Sequence, residues 1–111
     1  GENDFDGIIA VADEMLAVNP QDALAQKIRL QALFDKKDYA GVIASAEEAA
    51  AGQTDEEERS DVYFILGAAY NARTMPQQAI DALSKVTAGA NVAAAQKTVA
   101  QLKENAAKAN S

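Results

Sequence analysis

Between Asp61 and Val86 the apolar residues recur at the spacing of one helix, stop at a polar break, and resume at the spacing of a second. Tyr63, Leu66, Gly67 and Tyr70 fall at i, i+3, i+4 and i+7, so one helical face carries bulky groups around a single glycine notch. After Asn71-Ala72-Arg73-Thr74 a new pattern opens at Met75-Pro76, with Ala79, Leu83 and Val86 on its apolar face. Proline needs no amide partner in a first turn, which suits Pro76 to that start. The stretch therefore dictates two helices packed through small residues, and the rest of the chain has to be compatible with that unit.

Composition agrees. The hydrophobic fraction of 49% is mostly Ala, Leu, Ile and Val, with 5% aromatic residues and two prolines, a balance that favours closely packed helices over sheet. The 111 residues are read as one all-α domain, 1–111, long enough to bury a core. With no Cys and no His, disulfides, thiolate metal sites and the commonest general base are all excluded. A net charge of −7 with scattered cations argues against a nucleic-acid partner, and no apolar run reaches membrane-spanning length. The leading Gly1 without methionine reads as a residue left by tag cleavage, so export and cytoplasmic location are not separated.

The order aromatic, Leu-Gly, Tyr, then Ala and a larger apolar residue four positions later resembles one tetratricopeptide repeat. Tyr63 stands at the tryptophan of that signature and Leu83 at its phenylalanine. Gly67 would then let the second helix approach, with Ala79 as the small residue it meets. Lys37-Asp38-Tyr39-Ala40 is similar to the family's Gly-Asp-Tyr start of a second helix. Tyr39 follows Phe5 by 34 residues, the period of the repeat, whereas Pro76 follows Tyr39 by 37, which implies a longer loop around 51–56. The resemblance implies a right-handed superhelical stack of antiparallel helix pairs, about two and a half repeats closed by a carboxy-terminal capping helix.

Taken in order, Asp4 is expected to cap a first helix with Phe5, Ile8, Ile9, Ala12, Met15 and Leu16 as its stripe, ended by Asn19-Pro20. A second helix is expected over 23–34 and a third from Tyr39, closed by a left-handed Gly52. Thr54 with Glu57 reads as a capping box. The run Asp55 to Glu58 reads as a dipole-stabilised helix start, with a docking patch for a basic partner as the alternative. Asn91 is expected to cap a last helix with Val92, Ala95, Val99 and Leu102 on one face, dissolving into polar residues from Asn105.

Chemistry would have to rest on carboxylates, and pairs such as Asp13/Glu14, Glu47/Glu48 and Asp35/Asp38 lie on polar faces without convergence, so neither enzyme activity nor a cofactor or metal is expected. A partner surface is the better reading. The resemblance places Leu24, Lys27, Ile28, Gln31 and Phe34 of the second helix, and Asp61, Phe64, Ile65, Ala68 and Asn71 of the fourth, along a concave groove for a protein or peptide. Phe64 and Ile65 are expected to face that groove, with packing of Phe64 as ordinary core the alternative. The rival function is a dimerisation or scaffolding segment of a larger protein, exported or cytoplasmic, forming a homodimer through the apolar first helix.

Overall fold

A computed structural model describes residues 4–109, and its helix boundaries follow the capping chemistry of the chain. Expectations placed on Gly1 to Asn3, and on Asn110 and Ser111, lie outside the described residues. Six helices follow one another, α1 (Phe5–Val18), α2 (Ala23–Asp35), α3 (Tyr39–Gly52), α4 (Glu56–Ala72), α5 (Pro76–Leu83) and α6 (Val92–Ala109), with no strand among the described residues. Each helix packs on the next, and α2 also touches α4. The principal extents are 52 × 30 × 22 Å.

Three helices begin alike. The residues before α1, α3 and α5 are Asp4, Asp38 and Met75, with ψ of 69°, 72° and 73°. The first two share a local sequence, Asp4-Phe5-Asp6-Gly7 and Asp38-Tyr39-Ala40-Gly41. In each the aspartate accepts from the glycine amide, at 2.9 and 3.0 Å, and satisfies one of the orphan donors of a helix start. The glycine makes room for this, since a Cβ at Gly41 would lie 2.8 Å from Asp38 Oδ2.

Two turns are also alike, and they are 37 positions apart. Lys37 and Thr74 both take left-handed backbone, with φ of 70° and 59°. The following amides, of Asp38 and Met75, bond back to the carbonyls of Leu33 and Tyr70 at 2.8 and 2.9 Å. That is the six-to-one bond of a Schellman ending, which satisfies late carbonyls and reverses the chain. The pairs α2–α3 and α4–α5 are thus joined by the same device. The connections after α1 and α3 instead leave through extended residues, Asn19 and Gln53.

The core runs in two connected parts. Leu30, Val42, Val62 and Ala69 are fully buried at the centre of the first, between α2, α3 and α4. Ala79, Leu83, Ala95 and Leu102 build the second between α5 and α6, with Tyr63 and Phe64 of α4 packed on it. A buried aliphatic side chain of this kind contributes about 2 kcal/mol. Gly67 faces α5, and the side chain that an added Cβ would meet first is Leu83, whose carbons would lie 2.5 Å away.

Several boundaries differ from expectation. Gly52 is the last helical residue and carries no positive φ, and α3 is capped by the extended Gln53, whose side-chain amide donates to the carbonyls of Ala23 and Ala49. Asp55, one residue beyond Thr54, caps α4 through the Glu57 amide at 3.2 Å, because its carboxylate reaches the first turn with a full charge. Helix α5 stops at Leu83, where Ser84 Oγ donates to the Ile80 carbonyl. Helix α6 passes Asn105 and continues to Ala109, its alanine-rich end having high helix propensity. Asn91 turns its side chain away from α6 and donates to Asp61 Oδ1 at 3.1 Å.

Candidate interaction surface

The shared turn fixes a register in which each residue of α2 corresponds to the residue of α4 37 positions later. Leu24 corresponds to Asp61, Lys27 to Phe64, Ile28 to Ile65, Leu30 to Gly67 and Gln31 to Ala68. Because α2 and α4 lie in contact, residues on one side of α4 meet α2, and their counterparts on α2 point away from α4.

The α2–α4 seam is ionic at one end. Lys27 Nζ donates to Glu58 Oε2 at 2.5 Å and to Asp61 Oδ2 at 2.8 Å, and Asn91 satisfies the other oxygen of Asp61. Burial works to lower the Lys27 pKa, but the hydrogen bonds and negative charge of Asp61 and Glu58 outweigh it, so the ammonium titrates above its ordinary range. A cation bound by two carboxylates at this depth acts as a clamp between helices, and it is not free to hold a partner's carboxylate.

The ten residues expected along a groove divide into three groups. Leu24 and Ile28 are exposed, at 63% and 37%, and Gln31 and Asn71 are also exposed. Lys27, Phe34, Asp61, Phe64 and Ala68 are half-buried: Lys27 and Asp61 hold the clamp, Phe34 meets the Tyr39 ring edge-on at 5.5 Å, and Phe64 packs on the α5–α6 cluster. Ile65 is 8% exposed and belongs to the core, which leaves it no open surface. The reason is the contact with α2, which the periodicity of α4 alone does not contain.

Glu58 and Asn91 belong to this surface, whereas the sequence reading placed Glu58 in an acidic helix start and Asn91 as a helix cap. Their partners lie about 30 residues away in the chain, and only the register set by the paired turns brings them together. Ser60 is similarly placed: buried in α4, it accepts from the amides of Thr87 and Ala88 and anchors the loop before α6.

Two further depressions exist. A cleft of about 350 Å³ lies between α1, α2 and α3, where Arg29 bonds Asp13 at 2.7 Å and Ser45 at 3.1 Å across its floor. A groove of about 530 Å³ lies along α5 and α6, floored by Leu83, Val86, Val92 and Val99 with Lys103 at its edge. Among the described residues no group of three or more acids converges to hold a metal ion, and no helix is long and apolar enough to cross a membrane. Against known proteins, the chain matches no family model and no curated protein.

Proposed function

We propose that the six helices form a tetratricopeptide-like right-handed stack, and that the surface shared by α2 and α4 is a non-catalytic docking site for a peptide or helix. The observation that carries this reading is the contact between α2 and α4 combined with their identical endings at Lys37 and Thr74. Two helices related in this way present corresponding faces side by side, Gln31 beside Ala68 and Phe34 beside Asn71, with Gln31 and Asn71 exposed and Phe34 and Ala68 half-buried. Such a strip offers one apolar anchor and several polar contacts, which suits an extended or helical segment with its own apolar anchor. Selection of binders from a displayed random-peptide library tests it. The selected peptides should lose binding to Ala68→Arg and keep it with Glu47→Arg on α3, and the reverse pattern overturns the reading.

A second reading, a scaffolding or dimerisation segment, is favoured by one observation. Among the described residues the exposed large hydrophobic ones, Ile8, Val11, Val18, Leu24 and Ile28, all lie on α1 and α2. Surfaces of that kind are commonly contact sites.

A further inference from the structure

The two ends of the molecule differ in charge as well as in shape. Residues 1–81 hold six of the ten cations and sixteen of the seventeen acids, net −10, whereas residues 82–111 hold four lysines against Glu104, net +3. At the acidic end, α1 exposes Ile8 at 43%, Val11 at 56% and Val18 at 88%, with Glu14 between the last two on the same side of the helix. Among the described residues Glu14 has no ion pair. At the basic end the groove along α5 and α6 is floored by Val92 and Val99 and edged by Lys103, and the stripe Val92, Gln96, Val99, Lys103 runs at helical spacing. Lys103 and Lys97 have no ion pair among the described residues either.

We propose that these two surfaces bind each other between copies of this chain, the α1 face of one copy seating in the α5–α6 groove of the next. Each surface combines apolar side chains with unpaired charge, and the charges are opposite. A symmetric pairing of two α1 faces would bring Glu14 against like charge, and a pairing of two α6 grooves would oppose Lys103 with Lys103; only the head-to-tail arrangement matches sign on both sides. The helix order gives the same direction. In the alternation proposed above, α1 is of the second-helix type and α6 of the first-helix type, and α2 and α4 each pack on the second-type helix that follows, so α6 is the type of helix that packs on one like α1. The inference rests on that alternation and not on peptide docking at α2 and α4. Such a contact is heterologous and does not close on itself, so it yields open-ended chains whose strength falls with salt.

Sedimentation equilibrium of the 111-residue chain at low ionic strength tests this. The weight-average mass should rise with concentration past two copies without a plateau, and should fall toward 11.7 kDa in about 0.5 M salt. Glu14→Lys and Lys103→Glu, both at exposed positions, should each weaken association about tenfold. Their equimolar mixture should recover growth past two copies, because the two unaltered surfaces still meet and the Glu14→Lys face meets the Lys103→Glu groove with the charges exchanged. A chain that stays monomeric at millimolar concentration overturns the proposal. So does association abolished by Val11→Asp but indifferent to Lys103→Glu, since that result describes an α1 face pairing with itself. Circular dichroism matched to the parent chain shows that each variant folds, and peptide binding by the monomeric variants is read separately.

Discussion

Helices α2 and α4 end in the same turn but differ in what lies against them. The side of α4 that carries Asp61 and Ile65 is covered by α2, whereas the corresponding side of α2, Leu24 and Ile28, is open. Position in a repeated register therefore does not fix burial. What fixes it is which helix lies alongside: α2 covers that side of α4, whereas α1, which packs on α2, leaves Leu24 and Ile28 open. The same contrast explains the charges, since Asp61 is tolerated at a half-buried site because Lys27 of α2 supplies the partner.

The largest expected effect tests that contrast directly. Ile65→Ala should destabilise by about 3 kcal/mol in urea unfolding and Ile28→Ala by less than about 1, because only the first leaves a cavity. Equal losses would break the comparison. Gly67→Ala should cost about 1–2 kcal/mol although alanine favours a helix, because the added Cβ meets buried Leu83. A gain in stability there would mean that α5 sits farther from α4.

Smaller effects sharpen the equivalence of the two turns. Thr74→Gly and Lys37→Gly should each stabilise by up to about 1 kcal/mol, Thr74→Gly more, since a β-branched residue is strained at positive φ. If only one responds, the turns are not the same device. The smallest effect concerns the clamp. The folded-state pKa of Lys27 is raised, so its contribution to stability is complete below the ordinary lysine value and is lost as pH climbs through the higher folded value. Lys27→Met should remove that alkaline slope, as followed by urea midpoints from pH 9 to 12.

Much of the fold was legible because its signals are local. Asp4 and Pro76 mark helix starts by their own chemistry, Asn19-Pro20 marks a stop, and Val92, Ala95, Val99 and Leu102 show their shared face without reference to any neighbour. The candidate surface was less legible. Leu24 and Ile65 look alike as apolar residues on helical faces, and their fates, 63% and 8% exposed, depend on helix contacts that are not written in either local pattern. Cap details failed for a related reason. Thr54 and Asp55 are both capping residues, and the choice between them depends on how the chain leaves Gln53, whose side chain is tied to Ala23 some thirty residues earlier. Asn91 was likewise drawn from its own helix by a carboxylate on another.

The claim that α2 and α4 present one docking strip is tested most directly by amide chemical-shift mapping of the isotopically labelled chain titrated with a library-selected peptide. Saturable shifts centred on Gln31, Ala68 and Asn71, with α3 silent, are the predicted result. Shifts centred on the outer side of α3, around Ala44 and Glu47, would contradict it.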